Sequence, residues 1–166
     1  MSVKRLTRLA VLTALALALH VLEAQIPPLA PIPGIKPGFA NIVTVWVLVA
    51  LGPLDAALIL IARILLGSLF AGSVTALIYS LAGGTLCFIA SLALRRFVSE
   101  KQLWALGAVG AIAHNAGQLA AASLILKSAA IWSYAPVLTV SAIVTGVFTG
   151  LIAQLVHARL KGKTSK

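Results

Sequence analysis

The residues of this sequence that are most able to do chemistry lie inside its apolar stretches. Arg63 interrupts one run of aliphatic residues, and His114, Asn115 and Gln118 interrupt another. His114 and Gln118 are four residues apart and therefore share one face of a helix. Polar and ionisable side chains at membrane depth are costly, so each one is a candidate functional residue by default. We therefore treat these four residues as candidate ligand contacts.

Three further polar residues complete the set of predicted substrate-binding residues. Glu23 ends the first apolar run, Lys36 lies in the proline-rich stretch after it, and Asn41 begins the second run. Arg63 cannot lose its charge and needs an anion or a carbonyl as partner. Glu23 is the carboxylate within expected reach, so a structural Arg63–Glu23 pair and a ligand site both explain the pattern. Lys36 and Arg63 donate without accepting, which favours an anionic or carbonyl-rich ligand.

The same residues predict no enzyme active site. The chain has a single aspartate, Asp55, so it lacks the aspartate-rich motif that holds magnesium against a diphosphate. His114 has no thiol or carboxylate at metal-ligand spacing. Residues 162–164 read Gly-Lys-Thr, like the end of a phosphate-binding loop, but the glycine required five positions earlier is His157. We expect no catalytic residue, no metal site and no cofactor.

The composition shows what kind of elements must position these residues. Of the 166 residues, 61% are apolar and 10% are charged, with a mean hydropathy of +1.09. A soluble domain has about a quarter of its residues charged, so this chain has too little polar surface for water. We predict an all-α polytopic membrane protein with six transmembrane helices in a single transmembrane domain over 1–166. The predicted spans are 7–25, 38–52, 54–71, 73–94, 103–126 and 134–158.

The loop charges predict the orientation of the chain. Thirteen basic residues face three acidic ones. With six spans both termini share a side, and nearly all the basic residues outside the spans lie on that side, whereas the opposite side holds only Lys36 and Lys127. The positive-inside rule therefore places both termini in the cytoplasm, with the protein in the cytoplasmic (inner) membrane. The basic residues cluster at helix ends without interleaved aromatic residues, so we expect membrane lipids as neighbours and no nucleic acid.

Two further features of the sequence each allow two interpretations. Ala10, Ala14 and Ala18 form a strip of small residues on the first span, apart from the face that carries Glu23. Such a strip lets another helix approach closely, either inside the bundle or from a partner protein. The stretch 26–37 contains five prolines, so it is either a stiff cap over the bundle or a plain turn back into the bilayer.

Four motifs in order resemble the Gx transporter family, which is often labelled heptaprenyl diphosphate synthase component I. They are Pro-Gly-Ile-Lys-Pro-Gly-Phe-Ala-Asn-Ile-Val at 33–43, Arg-Ile-Leu-Leu-Gly-Ser at 63–68, Ser-Leu-Ala-Gly-Gly at 80–84 and Ala-His-Asn-Ala-Gly-Gln at 113–118. That family is grouped with the substrate-binding S components of energy-coupling factor (ECF) transporters. The resemblance implies an S-component-like bundle with a ligand pocket near the outer face. It also implies that Ala10, Ala14 and Ala18 dock on a membrane coupling subunit, which works with ATPases.

These observations predict a substrate-capture subunit of an ECF-type uptake transporter. Its ligand would be a small vitamin-, quinone- or isoprenoid-like molecule taken from the outer face. The alternative is a non-catalytic membrane accessory subunit for isoprenoid or quinone biosynthesis, or for a membrane redox complex. A structural scaffold without a ligand is the third interpretation.

Overall fold

The computed structural model describes residues 2–25 and 39–164, and these residues form the predicted all-helical bundle. Lys36 and the prolines of 26–37 lie outside the described residues. Two short 3-10 helices, Glu100–Gln102 and Ala129–Tyr134, flank the fifth long helix. The long helices are α1 (Val3–Gln25), α2 (Phe39–Ala50), α3 (Pro53–Ala71), α4 (Val74–Leu94), α5 (Leu103–Leu126) and α6 (Ala135–Thr164).

Five of these helices are long and apolar enough to cross a membrane, and α2 is the shorter one. The 12 residues of α2 rise about 18 Å, whereas the hydrocarbon core is about 30 Å thick. The outer faces of the helices are apolar: Leu58, Ile61 and Leu65 follow one another at helical spacing along α3 and are about half exposed. In water such a surface would aggregate, and in a bilayer it faces lipid. The fold is therefore that of a polytopic membrane bundle.

The sequence breaks predicted between α2, α3 and α4 are tight turns in the structure. Gly52 has φ 108°, and Pro53 follows it at the first position of α3, where its missing N–H costs no hydrogen bond. Gly72 has φ 59° and ends α3 in the left-handed region. Ser73 then caps α4 by accepting a hydrogen bond from the N–H of Ala76 at 3.2 Å. These turns make α2, α3 and α4 successive antiparallel neighbours.

The first and last helices are longer than the apolar runs that predicted them. Helix α1 begins at Val3 rather than at residue 7, and Arg5 Nε donates to Asp55 Oδ1 of α3 at 2.9 Å. Helix α6 continues to Thr164, beyond the end of the predicted span at residue 158. Lys161 Nζ donates to Glu100 Oε2 at 2.6 Å. Hydropathy locates the apolar part of a helix, whereas these polar turns are also held by ion pairs.

The two ion pairs mark one end of the bundle, which we call the basic end. Apolar side chains fill that half of the structure in two clusters. The first joins α1, α2 and α3 through Ala16, Val47 and Ile59, and the second joins α2, α5 and α6 around Leu103 and Leu106. Predicted site residues such as Glu23 and Asn41 lie towards the opposite end of their helices.

Helices α5 and α6 pack closely along a seam of small residues on α6, namely Ala142, Gly146 and Gly150. A Cβ placed on Gly146 would lie 2.5 Å from the carbonyl oxygen of Gly107 and 2.7 Å from the Cα of Ala108. Only glycine permits this approach of two backbones, as in other membrane helix pairs. The seam fixes α6 against α5 and so fixes the wall that these helices form together.

Candidate functional site

A cavity of about 600 Å³ lies between the helices, in the half of the bundle away from the basic end. Every long helix contributes to its wall, together with the 3-10 helix at Ala129–Tyr134. Pockets that bind small molecules typically enclose about 300–1,000 Å³, so the cavity has the size of a ligand site. Its deepest residues, such as Arg63 and His114, lie near the middle of α3 and α5.

The structure brings together the predicted site residues that it describes. Six of the seven line this cavity: Glu23, Asn41, Arg63, His114, Asn115 and Gln118. The seventh, Lys36, lies outside the described residues. The six residues that line the cavity come from four helices and are up to 95 positions apart in sequence, from Glu23 to Gln118. Their role as ligand contacts stays a prediction, but their common location is a property of the fold.

Arg63 is the most unusual of these residues. Its side chain is nearly inaccessible at 7% exposure, and its Nε is buried without a hydrogen-bond partner. The ion pairs among the described residues do not include Arg63, although the negative charge of Glu23 acts on the guanidinium from beyond direct contact. Glu23 is itself 5% exposed and lines the same cavity. The guanidinium is therefore placed where an incoming acceptor can pair with it.

His114 owes its position to a glycine on the neighbouring helix. A Cβ on Gly83 of α4 would lie 2.9 Å from both Cε1 and Nδ1 of the His114 ring and 3.0 Å from Cγ of Gln118. The absence of a side chain at Gly83 therefore leaves the space that both of these cavity residues occupy. The Nδ1 atom of His114 is buried without a hydrogen-bond partner.

Asn115 has a structural role as well as a place on the wall. Its Nδ2 donates to the carbonyl oxygen of Leu138 at 3.0 Å, which ties α5 to α6. The sequence could not distinguish such an interhelical bond from a ligand contact, because the acceptor is a backbone atom. The Asn115 amide is thus partly used by the fold, whereas the side chain of Gln118 makes no hydrogen bond to the described residues.

Sequence reasoning missed the hydroxyl groups that line the other side of the cavity. Ser141, Thr145 and Thr149 of α6 lie on its wall, and Tyr79 and Ser80 of α4 do so too. The three hydroxyl residues of α6 were not among the predicted site residues. Their spacing of four residues places them on one helix face beside the glycines, and that periodicity was the available signal.

Residues 12–156 match the family model described as heptaprenyl diphosphate synthase component I, which covers most of the chain. The chain belongs to this family. The label that accompanied the sequence resemblance is thereby confirmed, whereas the relationship to ECF S components stays a prediction. No curated protein and no solved structure matches the chain.

The matched residues, 12–156, include every described residue of the cavity wall, from His20 to Thr149. The match begins after Ala10, the first residue of the predicted docking strip. Ala10, Ala14 and Ala18 are all exposed on α1, whereas Ala16 is fully buried. The strip therefore does not pack inside the bundle, and α1 presents the strip outward while other residues of the same helix line the cavity.

Proposed function

We propose that this chain is a non-catalytic membrane component that holds a small amphipathic ligand in its central cavity. One observation carries the proposal: the buried guanidinium of Arg63 lies on the cavity wall with its Nε unpaired. Arginine keeps its charge in proteins, and a buried guanidinium with an unsatisfied N–H at membrane depth is costly. A residue with that cost is best explained by an acceptor that enters the cavity.

The cavity wall suggests the shape of the ligand. Apolar residues such as Ile64, Leu119 and Leu138 supply much of the lining, and the polar groups are few and separate. Small-molecule sites combine such an apolar surface with a few placed polar groups that fix orientation. The ligand that fits is a vitamin-, quinone- or isoprenoid-like molecule with an oxygen-bearing head and an apolar body.

The family description favours one use of this ligand. It names one component of a heptaprenyl diphosphate synthase, so we place catalysis in a separate subunit. In this proposal the chain holds a prenyl lipid or quinone in the membrane beside that subunit. Both termini would lie in the cytoplasm, because the basic end carries the start of α1 and the end of α6, and the cavity would then open towards the outer face.

A second candidate is the capture of the ligand for uptake, and one observation favours it. The exposed alanines at 10, 14 and 18 form an outward strip of small residues on a helix that also lines the cavity. A coupling subunit with ATPases that docks on that strip would contact the same helix that lines the cavity, so a movement of the subunit could displace the cavity wall. The same strip could receive a synthase subunit, so the docked partner distinguishes the two candidates.

The experiment compares cells that lack the chain after they are supplied with wild type or one of two variants. Arg63→Met removes the charge in the cavity, and Ala14→Leu blocks the strip. The controls are Arg96→Met and Ala158→Leu, which change exposed residues elsewhere. The readouts are the cellular content of prenylated quinones and the uptake of labelled prenyl alcohols and quinones from the medium.

A component that supports synthesis predicts a several-fold lower prenylquinone content with Arg63→Met and unchanged uptake. A capture subunit predicts that uptake is lost with Arg63→Met and also with Ala14→Leu. Normal content and normal uptake with Arg63→Met would contradict both candidates, because the cavity would then have no function that depends on its only described cation.

A further inference from the structure

The charges on the cavity wall restrict the head group of the ligand. This inference rests on the proposed function, since it concerns the same cavity. Among the described lining residues, Arg63 contributes one positive charge and Glu23 one negative charge. With neutral imidazoles at His20 and His114, the formal charge of the described wall is zero.

The stretch between α1 and α2 can change this sum by one charge. The stretch 26–38 contains Lys36 as its single ionisable residue. If its charge is added to the wall without any assumption about its position, the formal charge becomes +1. A diphosphate carries about three negative charges near neutral pH, so at least two of them would have no compensating charge at membrane depth. Burying uncompensated charge in a low-dielectric site is strongly unfavourable.

The hydroxyl groups of α6 make this mismatch larger. Thr145 Oγ1 donates to the carbonyl oxygen of Ser141 at 3.0 Å, and Thr149 Oγ1 donates to that of Gly146 at 3.2 Å. A hydroxyl has one hydrogen to donate, so both oxygens have only acceptor capacity left for the cavity. Acceptors attract donors and repel anionic oxygens. The α6 side of the cavity therefore favours a ligand with its own N–H or O–H.

We propose that the cavity takes a neutral or singly anionic prenyl-type ligand that carries both a hydrogen-bond acceptor and a donor, and that it rejects free prenyl diphosphates. The acceptor pairs with the guanidinium of Arg63, and the donor points to the hydroxyl oxygens of Thr145 and Thr149. In this assignment the diphosphate of the family's description is handled by another subunit, and this chain handles the dephosphorylated or ring-bearing lipid.

The test uses three probes with the same fifteen-carbon prenyl chain and different head charges. Farnesol is neutral, farnesoic acid is singly anionic, and farnesyl diphosphate carries about three charges. Saturable binding of each probe to the full chain in lipid nanodiscs is measured against empty nanodiscs, which correct for partition into the lipid. The variants Arg63→Met and Thr145→Val are measured beside wild type. Valine has nearly the shape of threonine and lacks the hydroxyl, so it removes the acceptor together with the hydrogen bond to the Ser141 carbonyl oxygen.

We expect farnesol, whose hydroxyl both donates and accepts, to bind at least tenfold more tightly than farnesyl diphosphate, and farnesoic acid, which when ionised only accepts, to bind between them. Arg63→Met should weaken the better probe about tenfold or more, and Thr145→Val should weaken farnesol several-fold. Tighter binding of the diphosphate, lost in Arg63→Met, would overturn the inference about charge and leave the proposed function intact. If no probe binds saturably, a prenyl-binding cavity is itself refuted and the inference with it.

Discussion

Replacing Gly83 by alanine perturbs the cavity wall with a single methyl group. Its Cβ would lie 2.9 Å from the His114 ring and 3.0 Å from Cγ of Gln118, so both side chains must move by several tenths of an ångström. Overpacking of this kind costs about 1–3 kcal/mol. Alanine regains up to about 1 kcal/mol through its higher helix propensity. The net loss of stability should therefore be about 0–3 kcal/mol.

The effect on the ligand should be larger than the effect on the fold. The strained side chains both line the cavity, and a bound ligand would have to restore their positions or bind to displaced groups. If the ligand loses about 1.4 kcal/mol of binding free energy, its affinity falls about tenfold. We therefore expect Gly83→Ala to weaken farnesol binding in nanodiscs about tenfold while the chain still folds.

Gly110→Ala is the matched control for this substitution. Gly110 lies at the same α4–α5 interface, and its added Cβ would meet Ser91 Oγ at 2.9 Å and Cys87 Sγ at 3.1 Å. Neither of these residues lines the cavity. Thermal unfolding followed by tryptophan fluorescence should show comparable shifts for the two variants, and only Gly83→Ala should lose affinity. Equal binding by both variants, or equal loss in both, would refute the reasoning that Gly83 positions the cavity wall.

Three further predictions concern the framework around the cavity. Gly146→Ala should lower the free energy of unfolding by about 1–3 kcal/mol or more, because its Cβ meets the α5 backbone. The control Gly162→Ala, whose Cβ has nothing within 4 Å, should not lower it, and thermal unfolding compares the two variants. Asn115→Ala removes the hydrogen bond to the Leu138 carbonyl oxygen of α6 and should lower the free energy of unfolding by about 1 kcal/mol. Thermal unfolding measures this loss, and an unchanged melting temperature would show that the bond does not form in the bilayer. Arg5→Ala removes the guanidinium that pairs with the mostly buried carboxylate of Asp55, and it should destabilise the chain by about 1 kcal/mol. Salt screens this ion pair, so the loss should be smaller at high salt, and a loss that does not change with salt would contradict the prediction.

The sequence predicted the helices well because the bilayer imposes long apolar runs. The turns at Gly52 and Gly72 were visible because glycine and proline interrupt those runs. The outer limits of α1 and α6 were less accurate. Their last turns are polar, and contacts with Asp55 and Glu100 hold them, which no hydropathy window includes.

The candidate site was predictable for a related reason. Charged and amide groups are so rare in these spans that Arg63 and His114 stood out, and the structure places them on one wall. Hydroxyl groups are common in membrane helices, so Thr145 did not stand out. The space at Gly83 depends on which residue of α5 faces it, and that pairing is a property of the packed helices rather than of either segment.

The measurement that tests the central claim most directly is native mass spectrometry of the chain released from its own membranes in nanodiscs. The cavity and its buried Arg63 predict a bound small molecule at about one per chain in wild type and in the exposed-residue control Arg96→Met. In Arg63→Met that molecule should be absent or reduced at least tenfold. Equal occupancy of the cavity by the small molecule in all three proteins would contradict the account, because the ligand would then bind without the Arg63 guanidinium on the cavity wall.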